Sequence, residues 1–259
     1  MKITSAAASS LAMARSFLFV PATRPERFSK ALASGADAII IDLEDAVGPN
    51  DKGVARDALA NAFQHFSTGE RSRVVVRINA STSQWFEDDL QLVQSLSLQG
   101  LAGLMPPKAE TPDELHRLTG TISDYCFLLP LIETVAGLDA ANAMAGSRRV
   151  VRLAFGNLDF QADAGLACES GETELAPVRL ALVLASKRAK IAAPVDGVTQ
   201  NTQDSAQLQA DSMRARRGGF GGKLCIHPLQ IQTVNAAFAP SGAERDWAER
   251  VIAAYEAQG

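Results

Sequence analysis

The sequence has few cysteines and histidines, no basic excess and no long apolar run, and each shortage closes off a class of function. Three cysteines, Cys126, Cys168 and Cys225, are scattered through 259 residues without C-x-x-C spacing. They exclude a disulfide framework and a cysteine-ligated zinc site, and read as reduced thiols of a cytoplasmic protein. Lysine and arginine number 25 against 29 acids, a net charge of −4, so the electrostatic footprint of a nucleic-acid binder is missing. No stretch approaches the roughly 18 consecutive apolar residues of a membrane span. The opening "MKITSAAASSLAMA" has Lys2 and an Ala12-Met13-Ala14 that mimics a cleavage site, but Thr4, Ser5, Ser9 and Ser10 interrupt any apolar core of a signal. Residues 1–14 are therefore expected to be a flexible tail ahead of one domain over 15–259. No G-x-G-x-x-G opens the first helix, which argues against a dinucleotide-binding fold. "GGFGG" at 218–222 precedes a strand and reads as a tight turn.

What the chain does have is a regular alternation. Apolar runs at 15–22, 38–47, 73–80, 103–110, 125–134, 149–157, 193–198 and 223–231 alternate with helical patterns at 25–34, 51–66, 84–98, 112–122, 136–146, 173–190 and 204–217, with further helices at the C-terminus. The runs are continuously apolar, as strands covered on both faces must be. Eight β–α units in a chain of this length predict a single-domain TIM (β/α)8 barrel with C-terminal helices.

Each run turns polar at its C-terminal end, and in a parallel barrel those ends meet on the face that carries active sites. Asp42, Glu44, Asp45, Glu110, Glu133, Asp159 and Asp196 would gather there against Arg77 and Lys108. Period two places Ile40, Asp42 and Glu44 on one side, as it does Val75, Arg77 and Asn79, and Leu129, Leu131 and Glu133. Burying Glu133 costs several kcal/mol unless something pairs with it; an arginine or a metal ion would each serve, and the pattern leaves both open. Oxygen ligands without a histidine or cysteine cluster favour Mg²⁺ over zinc. Arg77 is placed to take a substrate carboxylate, so Arg77→Lys should weaken 2-oxo acid binding with stability nearly unchanged. Lys108, after Pro106-Pro107, is either a positive lining or the Schiff-base lysine of a metal-free aldolase. His227 in "CIHP" reads as a structural histidine.

Seven segments in chain order, "LFVPATRPERFSKALASGADAIIIDLEDAV", "VVVRINA", "MPPKAET", "LPLIETVAGL", "LAFGNLDF", "APVDGV" and "GFGGKLCIHPLQI", together resemble the citrate lyase beta-subunit-like branch of the malyl-CoA lyase superfamily. The likeness covers about residues 15 to 257. It implies a TIM barrel, usually a homo-oligomer such as a trimer, that cleaves or forms carbon–carbon bonds of acyl thioesters with Mg²⁺. By that resemblance Glu133 and Asp159 bind the metal, Arg77 binds the substrate carboxylate, and Glu44 supports metal-bound water. The backbone of Gly156-Asn157 lies against the 2-oxo acid, and Arg24 lies near the thioester carrier.

Two departures stand out. Ala22 and Thr23 replace the "GN" of "PGNRPERF", and no "DGKMID"-like segment with its catalytic acid follows "VIAAYEAQG". The second makes malate-synthase and thioesterase activity unexpected. The expectation is therefore a Mg²⁺-dependent lyase that splits a citryl-like or malyl-like thioester, of CoA or of an acyl carrier protein, into an acyl thioester and a 2-oxo acid such as oxaloacetate. A metal-dependent class II aldolase acting on a free 2-oxo acid, and a non-catalytic assembly subunit of a lyase complex, are the alternatives.

Overall fold

The computed structural model describes residues 6–256. Nine parallel strand segments follow the chain: β1 (Ser16–Pro21), β2 (Ala38–Asp42), β3 (Val74–Arg77), β4 (Gly103–Met105), β5 (Phe127–Leu128), β6 (Leu131–Ile132), β7 (Ala154–Phe155), β8 (Val195–Asp196) and β9 (Gly222–Cys225). Their order is β5-β4-β3-β2-β1-β9-β8-β7-β6. The two ends of that order, β5 and β6, are consecutive pieces of one strand with Leu129 and Pro130 between them. Pro130 has no N–H to give to a ladder, so it splits the strand in two. The strand is nevertheless bonded on both edges. Leu129 N donates to Leu104 O at 2.8 Å and Leu131 N to Pro106 O at 3.0 Å, while Val151 N donates to Leu128 O at 3.0 Å and Ala154 N to Pro130 O at 2.9 Å. The barrel is closed, and its eight strands are those expected.

Period two sorts the side chains. Phe17, Ile40, Val75, Leu129, Leu131, Ala154 and Leu224 fill the interior. Leu18, Ile39, Ile41, Val74, Val76 and Leu104 pack outward beneath the helices. Both sides are buried, which is why β2 reads "AIIID" without alternation. The helices Ile231–Phe238 and Gly242–Glu256 complete the described chain. Among the described residues no helix is long and apolar enough to cross a membrane.

The flexible tail expected for residues 1–14 needs correction. Residues 1–5 lie outside the described residues, but Ala6–Met13 form a helix. Its Ala8 and Leu11 are fully buried, and Leu11 joins the barrel interior. The anchor is Arg152, also fully buried. It donates to Ala14 O at 2.5 Å and Leu11 O at 3.3 Å, and through Nε to Ala193 O at 2.6 Å. A cation at the C-terminal carbonyls of a helix also complements the helix dipole. Burial alone pushes the Arg152 guanidinium down to about 9, the cost of placing a charge in the barrel without a carboxylate. Gly221 leaves space for it, since a Cβ there would lie 2.7 Å from Arg152 Nη2. "GGFGG" is thus a turn and a packing site, with Gly219 at φ +95°. Arg152→Met should strip the donors from those carbonyls and cost about 1–3 kcal/mol, read as a lower urea midpoint with faster proteolysis before residue 15. Unchanged stability would show that the helix holds without its anchor.

Candidate active site

The C-terminal ends of the strands surround a cavity of about 420 Å³ lined by Phe19, Asp42, Arg77, Leu131, Glu133, Gly156, Asp159 and neighbouring residues. Phe19 and Leu131 are part of its apolar wall, and the charged groups stand at or a few residues beyond the C-terminal ends of β2, β3, β6 and β7.

Strand register pairs Asp42 of β2 with Arg77 of β3. The Arg77 guanidinium donates from Nε to Asp42 Oδ1 and from Nη2 to Asp42 Oδ2, each at 2.7 Å. Asp42 also accepts from Glu44 N at 2.9 Å and Ala46 N at 3.0 Å, so it shapes the loop after β2. Asp42 lines the cavity but is committed to Arg77 and to this loop, and is not a free acid of the mouth. One bidentate edge of Arg77 is spent on it. Nη1 donates to Asp45 Oδ2 at 3.2 Å and lies 3.1 Å from Glu44 Oε2. Burial works against the Arg77 charge, yet Asp42, Glu44 and Asp45 together hold it above its ordinary value.

Glu133 is 2% exposed. Lys108, at φ 45° in the left-handed region, turns its N–H onto Glu133 Oε1 at 2.8 Å. No arginine reaches Glu133 among the ion pairs of the described residues. Burial, then the neighbouring Glu44 and, more weakly, Asp159 push the Glu133 carboxyl up to about 8. Glu44 is likewise pushed up to about 7 by burial, against the pull of Arg77. Its Oε1 lies 3.5 Å from Lys108 Nζ. Its Oε2 is buried without a hydrogen bond, close to Arg77 Nη1 but outside hydrogen-bond geometry. Gly156 has to be glycine, because a Cβ there would sit 2.5 Å from Glu133 Oε2. Asp159 stands exposed in the first turn of the helix Asn157–Ala164.

The remaining expected residues divide between this cavity and elsewhere. The Asn157 side chain donates to Glu172 Oε1 at 2.7 Å and accepts from Val198 N at 3.0 Å. It ties the loop after β8, and only its backbone is left for the cavity, where first-turn amides of a helix lack intrahelical acceptors. Arg24 is half exposed, bonded to Glu26 at 2.6 Å, and is not among the cavity's lining residues. Asp196 is fully buried against Arg179 at 2.8 Å, and Glu110 accepts from Thr134 Oγ1 at 2.9 Å, so both leave the count of free acids. His227 caps the turn Pro228–Gln230, with Nδ1 accepting from Leu229 N at 3.2 Å, which is the structural role expected.

Sequence reasoning missed Lys52 and Arg179. Lys52 was visible as an anomaly, a lysine at the first position of a helix, where the dipole disfavours a cation. Arg179 carried no such signal, because arginine within the helix Ala176–Ala189 looks like ordinary surface.

Among the described residues no group of three or more His, Cys, Asp or Glu side chains is arranged to hold a metal. Mg²⁺ asks for less, usually one or two carboxylates with water and ligand oxygens. Glu133 and Asp159, which line the same cavity, would be such an oxygen-only pair. A buried Glu133 held up to about 8, with the unbonded Glu44 Oε2 nearby, marks a place short of positive charge. The donor set fits.

The sequence profile of the HpcH/HpaI aldolase/citrate lyase family matches residues 15–228. A (3S)-malyl-CoA thioesterase of Cereibacter sphaeroides is 32% identical over 249 residues, 93% of this chain and 83% of that protein. A citrate lyase subunit beta-like protein of Deinococcus radiodurans is 32% identical over 247 residues, 93% of this chain and 85% of that protein. Among solved structures, the protein CitE from Mycobacterium tuberculosis in complex with magnesium, acetoacetate and coenzyme A is 32% identical with a TM-score of 0.78, covering 95% of this chain and 89% of that one. With its barrel, its acid-lined mouth and these likenesses along most of its length, the chain belongs to the HpcH/HpaI aldolase/citrate lyase family.

Proposed function

We propose that the protein is a Mg²⁺-dependent carbon–carbon lyase that splits a citryl-like or malyl-like acyl thioester into an acyl thioester and a 2-oxo acid such as oxaloacetate. The observation that carries this reading is Glu133, buried and pushed up to about 8 in the same cavity as Asp159 and Arg77. Glu133 and Asp159 would hold the ion. When bound, Mg²⁺ supplies a Lewis acid for the oxygens of a 2-hydroxy or 2-oxo acid and stabilises charge developing there. Arg77 offers its Nη1 edge to the acid's carboxylate, and Asp42 keeps the guanidinium from turning away. Glu44, between Arg77 and Lys108, orders water at the site. Gly156 leaves room for the Glu133 carboxylate, and the backbone of Gly156-Asn157, with the first-turn amides of helix Asn157–Ala164, is left for the acid's oxygens. Arg24, outside the cavity lining, is left for the thioester carrier at the rim. The relative bound to magnesium and coenzyme A supports both cofactor and carrier class.

Lys108 supports metal chemistry over an imine. An imine-forming lysine must be neutral. Burial would lower the Lys108 charge, but Glu44 and Glu133 outweigh it and hold the ammonium above its ordinary value.

The test is turnover of citryl-CoA and malyl-CoA, with free citrate for comparison, before and after chelation. We expect cleavage of a thioester that stops with chelator and returns with Mg²⁺, and no adduct on Lys108 when borohydride is added with substrate. A trapped adduct would assign a Schiff-base aldolase, and turnover of the free acid alone a class II aldolase. Free thiol without a new carbonyl product would assign the hydrolysis named for the Cereibacter relative.

A further inference from the structure

Lys52 is 5% exposed and stands at the first position of the helix Lys52–Gln64, where a cation meets the positive end of the helix dipole. Burying an ammonium there is unfavourable twice over, so its partners have to explain it. They are the face of the Trp85 ring, 5.1 Å from Nζ, and three neutral oxygens. Nζ donates to Leu43 O and Glu44 O at 2.7 Å each and to Asn79 Oδ1 at 2.6 Å. An ammonium has three N–H groups, and all three are used. No carboxylate lies within ion-pair distance of Nζ among the described residues, so the lysine is not placed there to neutralise an acid by contact.

The acceptors are clamped from the other side. Asn79 donates through Nδ2 to Leu43 O at 3.1 Å and to Asp89 Oδ2 at 2.7 Å, and its backbone N–H goes to the same Oδ2 at 2.8 Å. Asp89, fully buried, is held by Arg56 at 3.0 Å. The loop after β2 is thus gripped at two consecutive carbonyls from below, while Asp42 takes the amides of Glu44 and Ala46. Glu44 has both its N–H and its C=O fixed by buried side chains. That fixing keeps an unbonded carboxylate oxygen in the interior, 3.1 Å from Arg77 Nη1; a free loop would turn it to water.

We propose that Lys52 is a positioning residue for the site: it touches no substrate, and by holding the Leu43 and Glu44 carbonyls it aims the Glu44 carboxylate at the edge of Arg77, which lines the cavity. The inference rests on the reading of Glu44 as a working group of the lyase site.

Two measurements test it, on the full chain. Lys52→Met removes the three donors at similar length, and Lys52→Gln is the milder variant should the first fold poorly. In kinetics with Mg²⁺, the loss is expected in kcat, about tenfold, with KM nearly unchanged. In a Glu44→Gln background the same substitution should change kcat less than about twofold, because groups acting through one another do not add. Losses that multiply, or that fall in KM alone, overturn the proposal. A crystal structure of the Lys52 variant reads the geometry without turnover: the Glu44 carboxylate should have left Arg77 Nη1. An unmoved carboxylate overturns the inference even if the enzyme is a lyase, whereas a parent without thioester cleavage overturns the lyase reading and leaves the geometric result to stand or fall separately.

Discussion

Mg²⁺ is expected to raise the melting temperature of the parent protein and to leave Glu133→Gln and Asp159→Asn unchanged, with turnover falling at least about 100-fold in each. A ligand bound only by the folded state stabilises by about 2.7 kcal/mol at a hundredfold excess over its Kd. The amide variants should lose that increment whole. Without metal they should not be less stable than the parent, since Glu133 is destabilised by burial and by neighbouring carboxylates. The pH dependence has a definite sign. In the folded protein Glu133 titrates at about 8 instead of 4.5, so between those values the folded state binds more protons than the unfolded one. Metal-free stability therefore falls as pH rises through that window. Glu44, held up to about 7, acts in the same direction over the lower part of it. Mg²⁺ has to displace the Glu133 proton, so its affinity should rise with pH until about 8. Differential scanning calorimetry at pH 6 and 8.5, with chelator or Mg²⁺, checks both slopes. A Glu133→Gln protein that still responds to Mg²⁺ in full would remove Glu133 from the metal site.

The barrel was legible because its rule is local: a strand buried on both faces must be apolar until it reaches the mouth, and "AIIID" and "VVVR" are apolar up to their last residue. The facing of residues was legible too, since period two puts Val75 in the interior and carries Arg77 to the same side. What the sequence did not disclose were pairings across long separations. Nothing near Asp42 says that register will set it against Arg77, nor does Asp196 reveal that Arg179 will bury with it. The helix Ala6–Met13 was invisible for the same reason. Its Ala- and Ser-rich pattern has little apolar face, and its anchor, Arg152, is more than a hundred residues away. Glu133 was the opposite case. A lone acid closing an apolar strand is a cost that local sequence exposes, and Glu133 lines the cavity at the strand ends. Arg24, known only through a motif, pairs with Glu26 and does not line that cavity.

Arg77→Met should unfold far more readily than a surface arginine variant, and this differs from what the strand pattern alone implied. Viewed as a carboxylate clamp, Arg77 would be replaceable without loss of stability. The structure makes it first a partner of Asp42, which is 1% exposed and bonded to it at 2.7 Å through both oxygens. Removing one member of a buried pair strands the other, at about 3–5 kcal/mol, and the urea midpoint should drop accordingly. Arg77→Lys keeps the charge but gives up the planar fork, so its loss should be intermediate. The two roles separate in the double variant Asp42→Asn/Arg77→Met. There the stranded charge is gone and stability should recover in part, while 2-oxo acid binding in the presence of Mg²⁺ should stay weakened by about 1.5–3 kcal/mol, the worth of a charge-assisted contact. Calorimetric titration with oxaloacetate reads the second quantity and urea denaturation the first. If binding recovers together with stability, the Nη1 edge contributes nothing to the ligand and Arg77 serves only to hold Asp42 and its loop in place.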